Sequence, residues 1–201
     1  MCVFLSLTLP EPAITAGSPG IARRQTFEEV YDENVEFVWR VVARLGVRPS
    51  SVEDVAQEVF VVVHRKLSDF EGMSSIRTWL YQIARRAVLD HQRTVRRKEP
   101  PKEGSDAVDV DHLASPGEGS PEMSAARAEA VRLLHVILGD MGHEKREVFI
   151  LAELEQMPAP EIAEAIGINV NTVYSRLRLA RDSFNQALAR HQARGRNRIG
   201  R

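Results

Sequence analysis

Pro160 to Leu177 reads PEIAEAIGINVNTVYSRL. Proline suits the first turn of a helix, where its missing N–H costs nothing. Ile162, Ala163 and Ile166 then fall on one helical face. Gly167 follows, where a helix end wants a left-handed residue. Asn169 is placed to cap a second helix, and Val173 and Leu177 give that helix an inward face. A small alanine in the first helix, glycine at the turn and apolar anchors on both sides make a helix-turn-helix spacing. With Val173 and Leu177 inward, the residues Asn171, Thr172, Tyr174, Ser175 and Arg178 face out. Asn and Arg side chains can make bidentate contacts to adenine and guanine edges, and Thr and Ser can bond bases or phosphates. Arg176, Arg178 and Arg181 sit where a DNA backbone would pass.

Working outward, the same end of the chain is basic. Residues 170–201 carry eight arginines against one acid, Asp182. Ile76 to Lys98 carries seven basic residues against one acid, Asp90. Between them, residues 99–124 carry seven acids, one lysine, four prolines and three glycines. The whole chain, at 27 Lys+Arg and 28 Asp+Glu over 201 residues, hides this segregation behind a net charge of −1. The acidic stretch has too little apolar surface to offset its ordering entropy. It reads as a flexible linker over 99–123, and the first 25 residues read as a disordered N-terminal segment.

The block before the linker predicts three helices. Thr26 and Glu29 form a capping-box pattern, followed by Phe27, Val30, Tyr31, Val38, Val41, Val42 and Leu45 at helical spacing, with Gly46 as the stop. Ser50 and Glu53 suggest a second capping box, ahead of Val55, Ala56, Val59, Phe60, Val63 and Leu67. A loop around Gly72 leads to a third helix from about Ser75, carrying Trp79, Leu80, Ile83, Ala84, Ala87 and Val88. After the linker, a helix from about Ser124 to Leu138 closes at Gly139 and Gly142, and another is expected over Glu144–Leu154. The fold class is therefore all-α: two small helical domains joined by a flexible acidic linker. Their bounds are 26–98 and 124–191, with a basic tail over 192–201.

At this point the chain resembles a bacterial RNA polymerase sigma factor of the extracytoplasmic-function type, in the sigma-70 family. The first block resembles sigma region 2 through EDVAQEVF (Glu53–Phe60), IRTWLYQIARR (Ile76–Arg86) and the following Asp90-His91. The second resembles region 4 through Glu161-Ile162-Ala163 and TVYSRLRLAR (Thr172–Arg181). Two motif groups in order across a linker are far more specific than a lone helix-turn-helix.

The resemblance implies an alternative sigma factor that binds core RNA polymerase (its β′ and β subunits) and promoter DNA under control of an anti-sigma factor. It implies a cytoplasmic bacterial protein that an anti-sigma factor can hold at the inner membrane. It implies a specificity subunit, with no catalysis, cofactor, metal or small-molecule substrate of its own. Asp54, Gln57 and Glu58 match the helix that docks on the β′ coiled coil. Their i, i+3, i+4 spacing gives them one exposed face suited to a basic helix. The loop Phe70 to Ser75, including Ser74, matches the loop that captures a flipped −10 base. Arg77, Arg85 and Arg86 would track phosphates of the non-template strand, and Tyr81 would stack on an unpaired base. Trp79, though placed to stack, reads as a core residue. Asn169, Asn171, Thr172, Tyr174, Ser175, Arg176 and Arg178 match the −35 reader. Tyr174 stands where the family often has a basic residue before Ser-Arg-Leu.

Other classes fit less of the chain. A simple helix-turn-helix repressor would leave Asp54–Phe60 and Trp79–Arg86 without a role. Six histidines are present, but none forms a two-His helical pair or a Cys/His ligand set, and no phosphate-cradling glycine loop appears. One cysteine, Cys2, leaves no disulfide framework and suits a reducing compartment. The apolar run Val3–Leu9 lacks the preceding basic residues of a secretory signal, and no run is long enough to span a bilayer.

Overall fold

A computed structural model describes residues 25–98 and 121–199, without the side chains of 121–125 and 195–199. The expected N-terminal segment (apart from Gln25) and the linker over 99–120 lie outside the described residues. All regular elements among the described residues are helical. Helix α1 spans Phe27–Arg44, α2 Pro49–Lys66 and α3 Ile76–Lys98. After the linker come α4 (Pro121–Asp140), α5 (His143–Phe149), a π-helical turn (Ile150–Leu154), α6 (Ala159–Ile166) and α7 (Val170–Ile199).

The starts and stops follow local chemistry. Thr26 Oγ1 accepts from the Glu29 N–H at 3.2 Å, and the Glu29 carboxylate accepts from the Thr26 N–H at 3.0 Å, which completes the expected capping box. The second expected box does not form. Helix α2 begins at Pro49 behind Arg48, with no side-chain cap, so Ser50 is already inside the first turn. Pro49 has its φ preset for a helix and needs no N–H partner in the first turn, so it starts the helix two residues early. Proline has the same effect on α4, which starts at Pro121 rather than near Ser124. Helix α3 begins as expected: Ser75 Oγ accepts from the Thr78 N–H at 3.2 Å.

Helices α1, α2 and α3 pack as a three-helix unit around Val38, Val41, Val55, Val59, Val63, Leu80, Ala84 and Val88, all buried. In the second unit, Leu138, Val148, Phe149, Ile150, Leu151, Ile162, Val173, Leu177 and Ala180 are buried. The two sets are not separate cores. They belong to one contiguous apolar cluster, with α6 packed against α3.

The expected helix over Glu144–Leu154 is broken in two. After Phe149 the hydrogen bonds lengthen from i→i+4 to i→i+5, as the Glu155 N–H donates to Ile150 O at 3.0 Å. Met157 N–H then reaches Leu151 O at 2.9 Å. Such π turns concentrate at functional sites. Gln156, at φ +56°, follows the capping residue Glu155.

Candidate nucleic-acid and polymerase interfaces

The helix-turn-helix is built by the residues that announced it. Gly167 closes α6 at φ +71°, and the Ile168 N–H donates to Ala163 O at 3.0 Å, a Schellman-type ending. Asn169 Oδ1 then accepts from the Asn171 N–H at 2.8 Å and caps α7. Val173 is fully buried and Leu177 nearly so. Their burial turns Asn171, Ser175 and Arg178 to solvent, with Thr172 half-buried. Tyr174 is exposed, as is Leu179 further along the same helix. Ser175 Oγ donates back to Asn171 O at 2.9 Å.

The three arginines expected along a DNA backbone differ. Arg178 is exposed. Arg176 is half-buried and pairs with Glu144 at 2.9 Å. Arg181 pairs with Glu153, in the π turn, at 2.6 Å. Helix α7 continues without a break through the start of the basic tail to Ile199.

On the opposite unit, Asp54, Gln57 and Glu58 are all exposed on one side of α2, whose other side buries Val52, Val55, Ala56 and Val59. The trio is a flat polar face on a helix anchored from behind. Such a face can meet a basic helix without reorganising the core.

The residues expected to take the −10 strand are arranged differently. Phe70 and Trp79 are half-buried, their rings tilted against each other at 5.0 Å. Trp79 packs on the core as expected. Ser74 is half-buried, and Arg86 is exposed. Arg77 is exposed too, with its guanidinium 5.3 Å from the Phe37 ring. Ser75, Tyr81 and Arg85 all meet the second unit.

Two carboxylates of that unit, Glu147 and Glu161, make these contacts, and a third, Glu155, reaches α1. Glu147 accepts from Tyr81 Oη at 3.2 Å and from Arg85 Nε at 2.5 Å. Tyr81 is fully buried, and burial together with the Glu147 charge holds its hydroxyl well above the usual phenol range. Its bond to the same carboxylate raises the Arg85 guanidinium above its ordinary value. Glu155 accepts from Arg40 at 2.9 Å and also pairs with Arg44. Glu161, in the first turn of α6, accepts from Ser75 Oγ at 2.7 Å, beside Thr78. Gln82 Nε2 adds a bond to the Glu164 carbonyl at 3.3 Å.

Glu147, Glu155 and Glu161 were not among the expected site residues. A signal was present for the first: Glu147 heads the apolar run Val148–Leu151. An acid there must find a partner if the run is buried.

No group of three or more His, Cys, Asp or Glu side chains among the described residues is arranged to hold a metal ion. No described helix is long and apolar enough to cross a membrane.

Comparison with known proteins fits this geometry. Residues 30–98 match the family model for sigma-70 region 2, and residues 132–183 match that for sigma-70 region 4. The RNA polymerase sigma-H factor of Pseudomonas aeruginosa is 33% identical over 141 residues, covering 68% of this chain and 72% of the relative. The ECF RNA polymerase sigma factor SigC of Mycobacterium tuberculosis is 32% identical over 150 residues, covering 73% and 75%. Among solved structures, the sigma factor RpoE of Bartonella quintana, in complex with the anti-sigma factor NepR, aligns with a TM-score of 0.66. That alignment is at 20% identity, over 81% of this chain and 96% of that one, and shows the shared fold. The chain belongs to the sigma-70 family of RNA polymerase sigma factors, in its extracytoplasmic-function group. Proteins of this family are transcription-initiation factors that bind core RNA polymerase and promoter DNA, and the chain is accordingly an alternative sigma factor.

Proposed function

We propose that this chain docks on core RNA polymerase through Asp54, Gln57 and Glu58. It reads the −35 duplex with Asn171, Thr172, Tyr174, Ser175 and Arg178, helped by Asn169 and Arg176. It takes the −10 non-template strand with Phe70, Ser74, Ser75, Arg77, Tyr81, Arg85 and Arg86. The observation that carries this is the anchoring of α7: Val173 and Leu177 are buried, so Asn171, Tyr174, Ser175 and Arg178 stand in solvent on the second helix of a helix-turn-helix. The exposed α2 trio supports the polymerase assignment.

Promoter opening then needs no catalysis by this chain. Holding unpaired −10 bases shifts the duplex-melting equilibrium toward the open form. Control by an anti-sigma factor extends to this chain from structural relatives. RpoE was solved with NepR, and the sigma factor CnrH, 24% identical here, with the cytosolic domain of CnrY. A membrane-anchored regulator of that kind would hold the chain at the inner membrane.

Run-off transcription with purified bacterial core polymerase, on fragments of the source genome, tests the reading. Discrete transcripts that require the protein, and vanish with the Asp54→Arg/Gln57→Arg variant, are the expected result. Duplex binding without any transcript would overturn it in favour of a repressor.

A further inference from the structure

Arg40, Arg44 and Arg85 are half-buried, and each is paired with a carboxylate, Glu155 or Glu147. Arg146, on α5, is half-buried too, but it has no acid partner among the described residues. Its Nη2 donates to Gly139 O at 2.7 Å and to Met141 O at 3.1 Å. These carbonyls orient the guanidinium without cancelling its charge. Its Nε is buried and has no partner among the described residues. Burial lowers the Arg146 pKa with no acid to offset it, whereas Glu147 raises that of Arg85. A desolvated charge left unpaired is costly, and an orphaned buried donor calls for an ion or water to complete it.

Arg146 lines a cavity of about 350 Å³, within the usual range for small-molecule sites. Three elements build the cavity: the turn between α1 and α2, the later turns of α3, and the start of α5. Arg48 comes from the first, His91 and Arg96 from the second, and His143 with Arg146 from the third. No acid lines it. Glu147 lies 3.5 Å from His143 Nδ1, but its charge is already shared by Tyr81 and Arg85. Gly46, in the same turn as Arg48, is at φ +94°, and a Cβ there would stand 3.0 Å from Arg146 Nη1. Glycine therefore leaves room for the guanidinium beside the turn. None of the residues assigned above to polymerase, the −10 strand or the −35 duplex lines the cavity.

We propose that this cavity binds a small molecule carrying two or more phosphates, with Arg48, Arg96 and Arg146 as its donors. Guanidinium forks match phosphate oxygens in bidentate pairs. Three guanidiniums and two imidazoles converging without an acid exceed what a single carboxylate needs. A concave site suits a small anion better than a duplex, whose phosphates run along convex ridges.

Isothermal titration calorimetry of the full chain with inorganic pyrophosphate and with ADP, at constant ionic strength, tests the site. Both should bind saturably at one equivalent, and sulfate should bind far more weakly. Arg146→Gln and Arg96→Ala should each weaken pyrophosphate about tenfold. Arg96 is exposed, so its variant keeps the test independent of folding. Arg65→Ala, which removes an exposed charge outside the cavity, should change nothing. Saturating pyrophosphate should raise the melting temperature, and Arg96→Ala should reduce that rise. Tighter binding of ADP marks a nucleotide as the ligand, and equal binding marks the polyphosphate alone; either result supports the site. Sulfate titrating as strongly as pyrophosphate overturns the proposal, as does unchanged binding in both arginine variants. So does a duplex oligonucleotide that displaces pyrophosphate and whose own binding falls with Arg146→Gln, which would give the cavity to DNA.

Discussion

Arg85 and Glu147 stand 62 positions apart in the chain, yet Nε of one lies 2.5 Å from Oε1 of the other. The carboxylate is nearly fully buried and also accepts from Tyr81 and lies 3.5 Å from His143 Nδ1. Removing it leaves a buried phenol and a half-covered guanidinium without their acceptor. Glu147→Ala should therefore lower unfolding stability by about 2–3 kcal/mol. Glu147→Gln, which keeps an acceptor oxygen, should lose less. Urea unfolding followed by circular dichroism gives the comparison, and equal losses for the two variants would refute the hydrogen-bonding argument.

His135 titrates against the fold. It is half-buried on α4, with Nδ1 3.4 Å from Val131 O, and Nε2 has no partner among the described residues. Burial lowers its pKa below the usual 6.5, and the nearby Arg44 charge lowers it further. The unfolded chain thus binds this proton more readily than the folded one, so stability is complete above about pH 6.5 and falls as pH drops below it. His135→Gln should flatten that slope. Melting temperatures measured between about pH 7.5 and 5.5 decide it, with an unchanged slope counting against the assignment.

Gly167 is limited by backbone rather than by space. Its φ is +71°, and a Cβ added there would meet nothing within 4 Å. Gly167→Ala should cost about 1 kcal/mol from the left-handed conformation alone. Thermal unfolding should show this loss, and a far larger one would mean that the turn has repacked.

Arg178 and Arg176 lie two residues apart on α7 in different surroundings. Arg178 is exposed, whereas Arg176 is tied to Glu144. Arg178→Ala should weaken binding of the −35 duplex by about 1–3 kcal/mol without a change in melting temperature, if the guanidinium reads a base edge. Arg176→Ala should lower stability slightly, as a partly exposed ion pair does. Fluorescence anisotropy at two salt concentrations separates base reading from phosphate contact. A loss for Arg178→Ala that disappears at high salt would assign it to the backbone instead.

The parts legible in the sequence share one property: a few neighbouring residues decide them. Thr26 with Glu29, and Gly167 with Asn169, satisfy their own backbone groups within three residues, so the pattern is the structure. Ser50 misled because it offered the right side chain beside Pro49, whose fixed φ had already begun the helix. The π turn was not legible, since nothing in Ile150–Leu154 disfavours an ordinary helix. The burial of Tyr81 was missed for a related reason. Its neighbours place it on a basic helix, while the groups that cover it, Glu147 among them, lie far along the chain. Asp54, Gln57 and Glu58 on α2 and Asn171, Tyr174, Ser175 and Arg178 on α7 are exposed, as the spacing implies, whereas Thr172 and Arg176 are half-buried. The spacing could not foresee that the −10 candidates are met by the other half of the chain.

The π turn joins two contacts that otherwise look unrelated. Glu153 holds Arg181 on α7, and Glu155, two residues on, holds Arg40 and Arg44 on α1. In an unbroken α-helix those two side chains would diverge by about 200° with no slack between them. Here the wider turn lets carboxylates two positions apart hold α7 and α1 at once, so one short segment ties both helices to the same stretch of backbone.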